Sequence, residues 1–171
     1  MRVYVALGSN LDDPVAQVCA GAQALGRLPG TRLMHCSSLY RTAPVGIAEQ
    51  PDFINAVCEA NTSMPAGAFM QALLDIEHAQ GRQRDIPGGP RTLDLDLLLY
   101  GDLTCHEPGL TLPHPRLHER AFVLYPLSEI APGLSVPGRG QVENLRAGCA
   151  GQAIERLAAV IPINEGTPAQ K

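Results

Sequence analysis

Two aspartates, Asp94 and Asp96, sit two residues apart inside the run "GGPRTLDLDLLLYGD" (88–102), which otherwise reads as buried strand. In a strand, successive side chains point to opposite faces. Leu93, Leu95, Leu97 and Leu99 are therefore expected on one core-facing side, and both aspartates on the other. At the usual strand rise the two aspartate Cα atoms lie about 6.6 Å apart. Neighbouring carboxylates repel, and an unpaired buried one is protonated rather than carried as a charge. A metal ion, arginines or both would offset that cost. Of the 13 Lys+Arg only Lys171 is a lysine, and Arg82, Arg84, Arg91, Arg116 and Arg120 all fall around the aspartate pair. The guanidinium fork matches phosphate oxygens. A single arginine is best read as a solvated surface group, and a lone Asp-x-Asp as exposed charge. Five arginines around a carboxylate pair set among leucines point instead to a phosphate site. Aspartates suit Mg²⁺, which keeps waters and bridges substrate phosphates. Two such ions about 3.5–4 Å apart can hold the attacking and leaving oxygens of a phosphoryl transfer.

Other chemistries fit less well. There is no G-x-x-x-x-G-K-[ST] loop and no lysine near the site, which excludes a P-loop and Schiff-base catalysis. Ser9 follows Gly8, but no G-x-S-x-G elbow surrounds it. His114 and His118 have an i, i+4 spacing that would suit zinc on a helix, but Pro115 favours a turn and no H-E-x-x-H glutamate is present.

The elements that must carry these residues follow from periodicity. "RVYVALGSN" is a strand ending in a turn, and Asp13-Pro14 opens a helix with Asp13 as N-cap. Val15, Val18, Cys19, Ala22 and Leu25 form its apolar stripe. Residues 31–42 and 53–62 read as strands, separated by a Pro/Gly loop over 43–52. Thr62 or Ser63 is expected to cap a second helix with Pro65 in its first turn, striped by Phe69, Met70, Leu73 and Ile76 and stopping at Gly81. A second Pro/Gly loop over 82–90 leads into the aspartate strand, and both loops are expected to close over substrate. The order βαββαβ predicts an α+β, ferredoxin-like antiparallel sheet with helices on one face. A C-terminal extension adds a short strand, a turn and a helix, then a final amphipathic helix over "ENLRAGCAGQAIERLAAV" (143–160). One domain over 1–162 with a frayed tail over 163–171 suits a chain of 171 residues. A net charge of −4 offers no field for nucleic acid, and no apolar run approaches the roughly 20 residues of a membrane span. The N-terminus has no signal-peptide layout, and five scattered cysteines read as reduced thiols, so a cytoplasmic protein is expected.

Several blocks together, "GSN", "YRTAPVG", "QPDFINAV", "GRQR", "GPRTLDLDLLL" and "LPHPRLHERAFVLYPLSEIAP", resemble the 6-hydroxymethyl-7,8-dihydropterin pyrophosphokinase family from Met1 to about Pro132. The resemblance implies a ferredoxin-like fold and transfer of pyrophosphate from ATP to the hydroxymethyl group of a reduced pterin, leaving AMP, in folate synthesis. It implies that Asp94 and Asp96 bind two Mg²⁺ ions. Arg82 and Arg91 would act as catalytic arginines, and Glu77, Arg84, His114 and Arg120 would serve the nucleotide and its phosphates. Phe53 and Phe122 would sandwich the pterin, with Asn55 and the backbone around Thr42 and Pro44 bonding its edge. The chain departs from the family pattern in lacking any tryptophan, in Leu74 and in Pro115. The expected partners are ATP and the pterin, acting on a monomer. A non-catalytic pterin- or nucleotide-binding relative would have lost the metal ligands, whereas both aspartates, Arg82 and Arg91 are present. A sugar-nucleotide transferase using Asp-x-Asp would need a longer α/β chain.

Overall fold

The computed structural model describes residues 1–44, 49–81 and 92–163. In chain order it contains β1 (Arg2–Ser9), α1 (Pro14–Gly26), β2 (Thr31–Cys36), β3 (Ser38–Thr42), β4 (Phe53–Thr62), α2 (Ala66–Ala79) and β5 (Asp94–Tyr100). The hairpin β6 (Cys105–Glu107) and β7 (Leu110–Leu112) follows, then a 3-10 turn (Leu117–Glu119) and α3 (Ala121–Ile130). The chain continues through β8 (Ser135–Val136), β9 (Gly140–Gln141), α4 (Val142–Ala147) and β10 (Glu155–Val160). The main sheet has the order β10-β3-β4-β1-β5, with β2 also paired to β4, and every pairing is antiparallel.

The strand expected over 31–42 is one bent strand in two pieces, both laid along the same edge of β4. It bends at Ser37, whose N–H donates to Val57 O at 2.9 Å while its hydroxyl accepts from Val57 N–H at 3.0 Å. Both backbone groups of Val57 thus stay paired through the bend. Asp13 caps α1 as expected, its side chain accepting from Ala16 N–H at 3.3 Å. The cap of α2 is not as expected. Pro65 occupies the N-cap position with no side-chain cap, and Thr62 Oγ1 accepts from Met64 N–H outside the helix. A residue before proline is pushed out of the α region, which keeps Met64 out of the helix; Pro65 is itself extended at φ −59° and ψ 153°, so the helix starts at Ala66. Gly81, at φ +81°, ends α2 in the left-handed conformation that glycine adopts without strain, its N–H donating to His78 O at 3.0 Å.

Helices cover both faces of the sheet rather than one. Val3, Val5 and Leu7 pack with Val18 and Leu25 of α1 and Phe69 of α2. On the opposite face Tyr4, Ala6 and Val57 pack with Val123 and Leu127 of α3 and Val142 of α4. The extension after β5 thus supplies a second helical layer. Seven of the eight residues of β1 are buried in consequence.

The aspartate strand starts at Asp94 and carries a correction. Leu93, Leu95 and Leu97 belong to the α1/α2 core, but Leu98 and Leu99 both belong to the α3/α4 core. The register against β1 steps from Leu97–Val5 to Leu99–Tyr4, so one extra residue is inserted. Such a bulge puts two consecutive residues on one side and reverses the alternation beyond it. Asp94 and Asp96 lie before the bulge and keep the shared face expected of them.

The final segment also differs. Helix α4 stops at Ala147, and Glu155–Val160 forms the edge strand β10 on β3. Gly148 and Gly151 weaken a continued helix, while the free edge of β3 offers backbone partners and the core takes Leu157 and Ile161. Cys36 and Cys58 face each other across β2 and β4, with Cα atoms 4.2 Å apart, and are joined by a disulfide. That corrects the reading of all five cysteines as free thiols; Cys19, Cys105 and Cys149 are free. No helix among the described residues is long and apolar enough to cross a membrane. Residues 45–48, the segment 82–91 with Arg82, Arg84 and Arg91, and the tail 164–171 lie outside the described residues.

Candidate active site

Sheet register assembles the site. Asn55 of β4 stands opposite Gly8 of β1, which stands opposite Asp94 of β5. One step along, Val57, Ala6 and Asp96 form a parallel row. With neighbouring strands about 4.8 Å apart, Asn55 and Asp94 are separated by about 10 Å across one small residue. Glycine and alanine at the centre of these rows leave a hollow between them. A Cβ on Gly8 would come within 2.9 Å of Asn55 Oδ1, so the amide sits over the bare glycine.

The hollow is a cavity of about 620 Å³. Thr42, Pro44, Phe53, Asn55 and Phe122 all line it, and so do Asp94, Asp96 and Arg120. Eight residues expected to act together, from four separate elements and a loop, therefore share one chamber. Asn55 is buried, its Nδ2 donating to Thr42 Oγ1 at 2.7 Å. Tyr40, beside Asn55 in the register, is fixed behind it by donating its hydroxyl to Glu129 Oε1 of α3 at 2.7 Å. Burial, and then that carboxylate, push the Tyr40 hydroxyl well above the usual tyrosine range. The loop ahead of Phe53 is held by Asn10, whose Nδ2 donates to Gln50 Oε1 at 2.9 Å and to Pro51 O at 3.0 Å.

Arg120 links the two halves of the chamber. Its Nη1 lies 4.0 Å from Asp96 Oδ2, and its guanidinium carbon stands 5.4 Å from the Phe122 ring centroid. The cation thus touches both the aromatic wall and the acidic end. Arg116 and Glu119 also reach the cavity, paired to each other at 3.5 Å.

His114 and Glu77 lie apart from this chamber. His114 lines a smaller cavity of about 180 Å³ with Met70, Thr111, Pro115 and Asp96, so Asp96 faces both spaces. Burial, and next the Arg120 charge, lower the His114 imidazole to about 4, against the opposing pull of Asp94. Its neutral Nδ1 accepts from Arg116 N–H at 3.2 Å. Glu77 lines neither cavity. It is only 2% exposed, and its Oε1 accepts from Leu95 N–H at 2.7 Å. That contact secures the outer edge of β5 between the two aspartates.

The acidic end fits a magnesium ion. Two hard carboxylates project from one strand face into a hollow kept open by Ala6 and Gly8. Among the described residues no cluster of three His, Cys, Asp or Glu encloses a metal. Magnesium typically takes one or two carboxylates and fills its other positions with water and substrate phosphate. Sequence reasoning missed Gly8, Glu119, Gln152 and Ala153, all of which line the larger cavity. Gly8 carried a signal as the small residue at the end of β1; Gln152 carried none, because the segment around it was read as helix.

Known proteins resemble this chain in sequence and in fold. The family model of 7,8-dihydro-6-hydroxymethylpterin-pyrophosphokinase (HPPK) matches residues 4–132. The chain is 48% identical over 156 residues to a 2-amino-4-hydroxy-6-hydroxymethyldihydropteridine pyrophosphokinase of Pseudomonas aeruginosa, covering 91% of this chain and 96% of that one. It is 45% identical to the protein of the same name from Haemophilus influenzae, over 80% of this chain and 86% of that one. In fold it is similar to an HPPK-DHPS crystal structure in complex with substrates, at a TM-score of 0.65 and 11% identity, over 86% of this chain and 43% of that one. Wild-type Plasmodium falciparum HPPK-DHPS gives a TM-score of 0.64 at 13% identity, over 86% of this chain and 41% of that one. A match over most of the chain and near-half identity across almost the full length of a relative place this protein in the 7,8-dihydro-6-hydroxymethylpterin-pyrophosphokinase family.

Proposed function

We infer that the protein transfers the pyrophosphoryl group of ATP to 6-hydroxymethyl-7,8-dihydropterin in folate synthesis, releasing AMP. One observation carries the placement of the reaction: Asp94 and Asp96 open into the same cavity as Asn55, Phe53 and Phe122. A flat heterocycle between the two phenylalanines is held by its faces, and Asn55 and Thr42 meet its polar edge. Its hydroxymethyl oxygen then points along the floor toward the aspartates. The cavity beside His114 and Met70 is our candidate for the nucleoside of ATP, since Asp96 borders both spaces. The pterin oxygen attacks the β-phosphorus, the bond from that phosphorus to the bridging oxygen of AMP breaks, and the hydroxymethyl proton is lost. Two Mg²⁺ ions held by Asp94 and Asp96 would neutralise the phosphate oxygens and align the attacking and leaving groups. Arg120 adds positive charge at the border between pterin and phosphates. We assign Arg82, Arg84 and Arg91 to the phosphates on the family resemblance. Glu77 serves the nucleotide indirectly, by holding β5.

The strand order supports a ferredoxin-like reading of the core from β1 to β5. The acting unit in this reading is a monomer, working in the cytoplasm where ATP is supplied. The test is AMP release from ATP, Mg²⁺ and the reduced pterin, measured for wild type, Asp94→Ala and Asp96→Ala. Each variant should keep its fold and lose at least about a hundredfold in turnover, the scale of a removed electrostatic stabiliser. AMP release by either variant at the wild-type rate would reject the carboxylate role.

A further inference from the structure

Arg120 occupies an awkward place in the chain. It follows the 3-10 turn Leu117–Glu119 and precedes α3, with extended angles of φ −116° and ψ 110°. As the N-cap residue of α3 it provides no side-chain cap. The first N–H groups of a helix have no partner within it, so that of Ala121 must find one elsewhere. It donates to Gln152 Oε1 at 3.0 Å. The same side chain donates through Nε2 to Glu119 O at 2.7 Å. One amide therefore bonds the backbone immediately before and immediately after Arg120. Nearby, the Cys149 thiol reaches His118 O at 3.8 Å, and Gln152 N–H closes the 149–152 turn onto Cys149 O at 3.0 Å. The turn is docked on the junction rather than passing it.

We propose that Gln152 is a positioning residue for the transfer: its amide clamps both sides of Arg120 and so keeps the guanidinium between Asp96 and Phe122. The clamp comes from beyond residues 4–132, the part that matches the family model. Gln152 itself borders the larger cavity. Without the clamp, rotation about the backbone of residue 120 swings a long side chain, and the charge leaves both the ring and the carboxylate. The role is distinct from stabilising α3, which is held by Val123, Leu124 and Leu127 in the core whether or not the amide is present.

The proposal rests on the pyrophosphokinase reading, and the experiment separates the two. Gln152→Met keeps length and loses the amide; Gln152→Glu keeps an acceptor for Ala121 N–H and loses the donor to Glu119 O. Each is made in the wild-type and the Arg120→Ala backgrounds. Pterin affinity is measured by calorimetry with a non-hydrolysable ATP analogue and Mg²⁺, together with kcat for AMP release and Tm. In the wild-type background Gln152→Met should weaken pterin binding by about three- to tenfold, the range of one lost hydrogen bond, and Gln152→Glu by less. In the Arg120→Ala background Gln152→Met should change pterin affinity by less than about twofold, because no guanidinium remains to be placed. An equal loss in both backgrounds, or a lowered Tm with unchanged affinity and kcat, would overturn the positioning role and leave a structural one. A wild-type protein that forms no AMP would overturn the underlying reading as well; normal turnover with a silent Gln152→Met would overturn the clamp alone.

Discussion

Replacing Gly8 by alanine tests the geometry of the floor with one methyl group. The constraint there is space and not backbone conformation, since Gly8 is not among the positive-φ residues. The added Cβ would lie 2.9 Å from Asn55 Oδ1, while the next neighbour, Ile54 O, is at an ordinary 3.9 Å. Only the Asn55 amide must give way, by a few tenths of an ångström to reach normal contact. That shift pulls Nδ2 off Thr42 Oγ1, now at 2.7 Å. Losing one neutral hydrogen bond while the backbone stays in place costs the fold about 1 kcal/mol. The larger consequence falls on the ligand. A displaced amide leaves the polar edge of the pterin unpaired in a buried site, a penalty of about 1–3 kcal/mol, or about 5- to 150-fold in affinity. Calorimetric titration of pterin with an ATP analogue and Mg²⁺ measures it, beside urea denaturation for the fold. The control is Asn55→Ala: with Oδ1 gone, Gly8→Ala should add almost nothing. Wild-type pterin affinity in Gly8→Ala, or the same loss whether or not Asn55 is present, would refute the reasoning.

Two further outcomes are expected. Phe122→Ala should weaken pterin binding by about 1–3 kcal/mol, the scale of a lost aromatic face, with much less effect on binding of an ATP analogue; equal losses for both ligands would make Phe122 a core residue. Tyr4, 3% exposed, has its hydroxyl pushed from 10.0 up to about 12 by burial and next by the Glu59 carboxylate, to which it donates at 3.3 Å. Native Tyr4 therefore keeps its proton after the unfolded chain has lost it, so its contribution is complete below pH 10 and lost between pH 10 and about 12. Urea midpoints of wild type should fall across that window by an amount worth up to about 2 kcal/mol, and Tyr4→Phe should flatten the fall; parallel declines in both proteins would count against it.

The sequence by itself determined the strands and helices of the βαββαβ core and the shared face of Asp94 and Asp96, while Thr42, Pro44, Phe53, Asn55 and Phe122 were named through the motifs of the family resemblance and line one cavity. Each of these rests on local periodicity or on a motif of a few consecutive residues, and neighbouring residues are enough to specify such features. Met64-Pro65 was equally local, and the later start of α2 follows from the restriction proline places on the residue before it. Other features depend on residues far apart in the chain. The bulge that sends Leu99 to the α3/α4 side exists only as a mismatch between β5 and β1. Cys36 and Cys58 are 22 residues apart, and only the register of β2 on β4 brings them together. Glu155–Val160 has a composition compatible with helix, but the open edge of β3 offers backbone partners and decides for strand. Gln152 depends on the same choice, because a helix through 152 would never have brought its amide to the residues on either side of Arg120. Local chemistry named the groups that can act on phosphate, and the family resemblance those proposed for the pterin; long-range pairing set which backbone they rest on, because a hydrogen-bond partner more than twenty residues away leaves no period in the sequence.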